Sequence, residues 1–123
     1  MNTRISCVII TKNEEKNIER CLLSVFSVAD EVIVIDSYSE DKTEDICNRY
    51  KVVFHKTNWK GYSETKNFGN EMARYEYILS LDADEALSKE LQDELLNIKK
   101  EGFHHDAYVF NRLTNYCGKW IRH

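Results

Sequence analysis

The sequence predicts one α/β domain, a mainly parallel sheet with helices on both faces. Three observations predict it. Short β-branched runs alternate with amphipathic stretches of ten or more residues, the pattern of right-handed βαβ units. No proline, repeat or low-complexity linker interrupts the 123 residues, and there are only four glycines. Polar and charged residues collect directly after the apolar runs, where open α/β sheets place their ligands.

The elements follow in order. "RISCVII" (residues 4–10) is a buried strand by its β-branched content. After the polar "TKNEEKN", Ile18, Cys21, Leu22 and Val25 recur at helical spacing, so residues 14–27 form an amphipathic helix. "EVIVID" (31–36) is the second strand, "SYSED" turns into a helix carrying Ile46, Cys47 and Tyr50, and "VVFH" (52–55) is the third strand. A helix over residues 63–74 leads to "YILSL" (77–81), the fourth strand. Ser88 suits the N-cap of a helix through Leu91, Leu95 and Ile98, with Gly102 as its stop. "AYVFNRL" (107–113) is expected as a fifth strand.

Composition narrows the function. At 42% hydrophobic residues the chain can bury a real core, and its net charge of −4 argues against non-specific nucleic-acid binding. No apolar run reaches the ~18 residues of a membrane span, and "MNTRISCVII" lacks the pattern of a signal peptide. A cytoplasmic location is expected, with a peripheral contact at the inner face of the cell membrane left open. Cys7, Cys21, Cys47 and Cys117 show neither CxxC nor metal-ligand spacing. The first three fall on apolar faces, as buried reduced thiols do.

The strand ends carry the chemistry. The first runs into Thr11, Lys12, Asn13, Glu14 and Glu15, the second into Asp36, Ser37 and Ser39. Trp59, Lys60 and Lys66 follow the third, and Asp82, Asp84 and Glu85 end the fourth. Two carboxylates spaced Asp-x-Asp can converge on one Mg²⁺ or Mn²⁺, which relieves their repulsion and receives a diphosphate. An acidic loop favouring the next helix N-terminus is the local alternative. Asp36 can accept hydrogen bonds from a ribose or base, or serve a turn. Lys66 suits a phosphate or a solvated helix face. Trp59 suits a cleft wall or a cover for the core. His55, His104 and His105 fit strand-end and loop positions without a catalytic partner. No Gly-rich dinucleotide or P-loop motif is present.

Together "VIITKNEEKNIERCLLSV", "EVIVIDSYSEDKTEDI" and "KNFGNEMARYEYILSLDADE" resemble family 2 of the inverting glycosyltransferases, over residues 5–95. The resemblance implies the Rossmann-like GT-A fold and transfer of a sugar, with inversion, from a nucleotide-diphosphate sugar to a glycan or glycolipid acceptor. It implies UDP as the usual nucleotide and Mg²⁺ or Mn²⁺ as cofactor. By position, Thr11, Asn13 and Glu14 correspond to the first nucleotide-contact loop, and Asp36 to the acid facing the base. Lys66 corresponds to a basic residue before Asn, Asp82 to a group near the ribose, and Asp84 to the metal ligand. Glu85 extends the motif. "NWKGYSETKNFG" and "NYCGKWIRH" resemble the bacterial lipopolysaccharide-core glucosyltransferase branch. Such enzymes continue further, with acceptor-binding elements and a general base. The expectation is therefore one nucleotide-sugar-binding domain over residues 1–123, truncated on its acceptor side. A non-catalytic nucleotide-sugar-binding module is the alternative. A nucleotidyltransferase is disfavoured, because no Gly-rich phosphate loop opens the chain.

Overall fold

The computed structural model describes residues 4–101 and 119–122. Its sheet is formed by β1 (Ile5–Thr11), β2 (Glu31–Asp36), β3 (Val53–Lys56), β4 (Tyr77–Asp82) and β5 (Lys119–Arg122), in the order β3-β2-β1-β4-β5. The first four strands are parallel, and β5 pairs antiparallel with β4. The crossovers are α1 (Ile18–Val25), α2 (Thr43–Cys47) and α3 (Tyr62–Met72), and α4 (Lys89–Glu101) follows β4.

All seven residues of β1 are buried, as a central strand covered on both faces requires. Alternation along the strands sorts two cores. Ile5, Cys7 and Ile9 join Val34, Leu79 and Leu81 in the larger cluster, packed with Leu22 of α1 and Leu91 and Leu95 of α4. Val8, Ile33, Ile35 and Ile78 form a smaller cluster on the other face, with Met72 and Ala73 against it. That thin second core brings α3 very close to the sheet. A Cβ on Gly69 would lie 2.5 Å from Val8 Cγ1 and 3.2 Å from Ile35 Cγ1, so glycine is needed for the approach.

The expected helix over residues 14–27 is shorter in fact. Only Ile18–Val25 is helical; turns occupy the residues before it, with the Asn17 and Ile18 amides both donating to Glu14 O. The amides just upstream are taken by side chains of another loop, described below. Ser88 does cap α4: its Oγ accepts from the Leu91 amide at 3.1 Å. Cys7, Cys21 and Cys47 are buried free thiols. Strand 107–113, Gly102, His104, His105 and Cys117 lie outside the described residues. β5, by contrast, was not anticipated as a strand.

Parallel register brings Thr11 beside Asp36 and Ile10 beside Asp82. Chain order reverses around β1, which has β2 on one side and β4 on the other. The crevice at such a reversal is where ligands of open α/β sheets bind.

Candidate functional site

A cleft of about 300 Å³ opens at that reversal, lined by Thr11, Glu14 and Ser37 on one side and by Tyr62, Asp82 and Asp84 on the other. Trp59 completes its wall and is 52% exposed, so it covers no core. A slightly larger hollow of about 340 Å³ lies at the opposite, amino ends of β2 and β3. Its acids are already engaged. Asp30 accepts from the Ile5 amide and the Lys99 ammonium, and Glu31 from Ser6 Oγ and the Arg74 amide. It serves the fold.

On the β4 side, Asp82 closes the strand and the chain turns at once. The Glu85 amide donates to Asp82 O, and Glu85 Oε1 accepts from the Asp82 amide at 2.8 Å. Glu85 is thereby folded back onto its own turn. Ala83 is buried, so Asp82 and Asp84 flank a residue anchored in the core. The Tyr62 hydroxyl donates to Asp82 Oδ1 at 3.2 Å. The Lys66 ammonium lies 4.5 Å from the centre of the Tyr62 ring, a cation–π contact. Arg20 Nη2 donates to the backbone oxygen of Asp84 at 3.1 Å. No hydrogen bond or ion pair holds the Asp84 carboxylate among the described residues.

The β1 and β2 side is closed by its own bonds. Three successive amides of the loop after β1 donate to side chains of the loop after β2. Asn13 N–H reaches Ser39 Oγ at 2.7 Å, Glu14 N–H reaches Thr43 Oγ1 at 2.9 Å, and Glu15 N–H reaches Asp41 Oδ2 at 3.1 Å. Asn13 Oδ1 answers by accepting from the Glu40 amide at 2.7 Å. Asn13 and Tyr38 adopt φ of 52° and 55°, left-handed conformations that Asn tolerates better than most residues. Asp36 is fully buried and accepts from both the amide and the hydroxyl of Ser39. Burial acts to raise the Asp41 pKa, but hydrogen bonds from the Thr43 hydroxyl, the Thr43 amide and the Glu15 amide outweigh it and hold this acid below its usual range. Two buried hydroxyls of the cleft wall, Thr11 Oγ1 and Ser37 Oγ, have no hydrogen-bond partner among the described residues.

The profile of glycosyl transferase family 2 matches residues 6–123. This chain belongs to that family. Its sequence is 47% identical over 95 residues to an uncharacterized glycosyltransferase of Rickettsia bellii, covering 77% of this chain and 32% of that protein. It is 38% identical over 119 residues to the SPbeta prophage-derived glycosyltransferase SunS of Bacillus subtilis, covering 93% and 28%. The crystal structure of S. aureus TarS 1–349 in complex with UDP aligns with a TM-score of 0.64 at 27% identity, over 85% of this chain and 34% of that one. The mannosyltransferase PcManGT from Pyrobaculum calidifontis, in complex with GDP-Man and Mn²⁺, shares the fold at a TM-score of 0.70 and 22% identity, over 94% and 38%. The chain spans about a third of the length of the curated relatives it matches.

Within this family-2 domain, the residues singled out from the sequence separate into two groups. Thr11, Glu14, Asp82 and Asp84 line the cleft. Asn13 and Asp36 stand behind it in the loop framework, and Lys66 stands behind Tyr62. Tyr62 was missed; its one sequence signal is its place four residues before Lys66, on the same helix face. The donor set suits a hard divalent ion that borrows ligands from its substrate. Glu14, Asp82 and Asp84 line the cleft, but Glu14 accepts from Asn17 Nδ2 and Glu85 is diverted to the Asp82 amide, and no group of three or more His, Cys, Asp or Glu that could hold a metal ion is found among the described residues. Mg²⁺ and Mn²⁺ accept such sparse sites when phosphate oxygens and water complete the shell.

Proposed function

We propose that this chain is the donor-binding part of a glycosyltransferase that moves a sugar from a nucleotide-diphosphate sugar, a UDP-sugar, to a glycan or lipopolysaccharide-type acceptor with inversion. The observation that carries this reading is the cleft itself. Asp82 and Asp84, two residues apart at a strand end, line a cleft of about 300 Å³ whose other wall is formed by Thr11, Glu14 and Ser37. The UDP complex of TarS, which aligns over most of this chain, supports the choice of nucleotide.

In this reading Asp84 holds Mg²⁺ or Mn²⁺, and Asp82, steadied by Tyr62, receives the ribose. Once bound, the ion supplies positive charge for the departing diphosphate. Thr11 and Ser37 wall the nucleotide's side of the cleft, and Glu14 closes that side. Asp36 and Asn13 shape the base-binding end through Ser39. Lys66 contributes its charge through the Tyr62 ring. The three captured amides bear on the diphosphate. Successive free N–H groups before a helix make an anion nest, but here side chains fill them, so the acidic β4 end is left to receive the phosphates through the cation. The acceptor hydroxyl attacks the anomeric carbon opposite the leaving diphosphate, and its proton passes to a base. Asp82 and Asp84 face the donor and are not assigned that role. A cytoplasmic site, at the inner membrane face for a glycolipid acceptor, belongs to the same reading. No described helix is long and apolar enough to cross a membrane.

Calorimetric titration with UDP tests the proposal. Binding is expected with Mn²⁺ and should weaken markedly in chelator, while uridine should bind weakly and without regard to the metal. Absence of UDP binding at millimolar nucleotide with Mn²⁺ present would overturn it.

A further inference from the structure

We infer that Asp41 and Thr43, neither of which touches the cleft, are positioning residues that hold the Thr11–Glu14 wall in its nucleotide-binding shape; this rests on the donor-site reading above. A relay of hydrogen bonds links Asp41 and Thr43 to that wall. Asp41 Oδ1 accepts from the Thr43 amide at 2.9 Å and from Thr43 Oγ1 at 2.5 Å. With its proton committed to Asp41, the Thr43 hydroxyl can present only lone pairs to the Glu14 amide, which donates to it at 2.9 Å. The other Asp41 oxygen takes the Glu15 amide. One carboxylate therefore sets the hydroxyl's orientation and pins two consecutive residues of the opposite loop.

Glu14 is the residue of that pair that lines the cleft, and its carbonyl accepts the first bonds leading into α1. Thr43 is fully buried, so its hydroxyl meets no competing water. Released amides here would have no helical partner, because residues 14 and 15 lie ahead of α1 and its cap. The loop would be free to turn them toward the cleft, where they would compete with the arrangement that leaves phosphate binding to the β4 end. Asp41 and Thr43 thus act on donor geometry through Glu14, at a distance from the ligand.

Four variants test this: Asp41→Asn, Asp41→Ala, Thr43→Val and Thr43→Ser. UDP affinity with Mn²⁺ is measured by calorimetry well below each variant's melting temperature, alongside amide proton shifts and exchange at Glu14 and Glu15. Thr43→Val is expected to weaken UDP at least fivefold and to expose the Glu14 amide to exchange. Thr43→Ser, which keeps the hydroxyl, should restore both. The Asp41 variants should release both amides; should Asp41→Ala not fold, the Thr43 pair still decides. Parent-like UDP affinity in folded Thr43→Val, or failure of Thr43→Ser to restore it, overturns the positioning role while leaving the donor site standing. A parent chain that does not bind UDP overturns the donor-site reading, and this inference with it.

Discussion

The two halves of the sheet's carboxyl edge are built in opposite ways. After β1 and β2, side chains take three consecutive amides and Asp36 is enclosed by its own turn. After β4, the Asp84 carboxylate is exposed without a partner among the described residues, and Asp82 receives a phenol at 3.2 Å. The closed half makes its hydrogen bonds internally and so behaves as framework. The open half keeps like charges adjacent, a cost that a cation and a diphosphate would offset on binding. Rigidity and responsiveness are thus separated across one cleft.

The largest expected effect comes from removing the open half's free ligand. Asp84→Ala should weaken UDP at least tenfold in Mn²⁺, about 1.4 kcal/mol or more, and leave a residual affinity indifferent to the metal. Being exposed, Asp84 should contribute little to folding, so the melting temperature of the ligand-free protein should hold. Metal-dependent affinity equal to the parent's, measured by calorimetry, would erase the contrast between the halves.

Next in size is the seat of α3, which carries Tyr62 to the open half. Gly69→Ala gains roughly 1 kcal/mol of helix propensity. Against this, its Cβ meets Val8, a stiff β-branched side chain in the middle of the sheet, at 2.5 Å. Overpacking of this kind costs about 1–3 kcal/mol and should win. A urea midpoint that falls, together with weaker UDP binding, is the expected outcome; an unchanged midpoint would mean that α3 has slack.

Thiols lie beneath both halves. Burial pushes Cys21 up to about 12, with Glu85 adding to it, and burial and Asp36 push Cys47 up to about 12. An unfolded thiol ionises near ~8.5, so the unfolded state loses its protons first as pH rises. Their contribution to stability is therefore intact below about pH 8.5 and declines from there toward 12, by at most ~1.4 kcal/mol per pH unit for each thiol. Urea midpoints should drop between pH 8 and 10, by at most about 2 kcal/mol of stability for each thiol. Iodoacetamide at pH 8 should spare Cys7, Cys21 and Cys47 in the native chain and modify them in urea, as read by peptide mapping. Modification of Cys21 under native conditions would show that the Asp82–Glu85 turn opens.

Much of this was legible from residue pattern alone, and the misses have physical reasons. β2 was bounded correctly at both ends, since a solid apolar run stops at a charged residue on each side. Asp82, Asp84, Thr11 and Glu14 were reachable because strand ends face the crevice in any sheet of this kind. The start of α1 was not, because the amides of residues 13–15 are bound across 26 to 29 positions of sequence. Periodicity cannot register such a bond. β5 was hidden for a similar reason: "KWIR" is too short to announce itself and becomes a strand by pairing with β4. Asp36 carried two meanings, turn and ligand; its bonds to Ser39 establish the turn.

The smallest effect should come from the hydroxyl of Tyr62, which touches the open half without belonging to its acids. Its bonds to Asp82, 3.2 and 3.4 Å, are longer than the ~2.5–3.0 Å of a strong O–H···O bond. Such a bond at a 39%-exposed residue should contribute no more than about 0.5 kcal/mol, at the low end for a net hydrogen bond. Tyr62→Phe keeps the ring beneath Lys66 and removes only the hydroxyl, so UDP affinity should fall by about twofold. Tyr62→Ala removes both, and frees a buried ammonium from the aromatic face that it lies over. It should weaken UDP further, and the gap between the two variants measures what the cation–π contact adds to the site. If Phe and Ala weaken UDP equally, Lys66 plays no part in the cleft through the ring. If Phe alone matches the loss seen in Asp84→Ala, the phenol is a ligand contact in its own right, and the open half has three polar groups where two acids were counted.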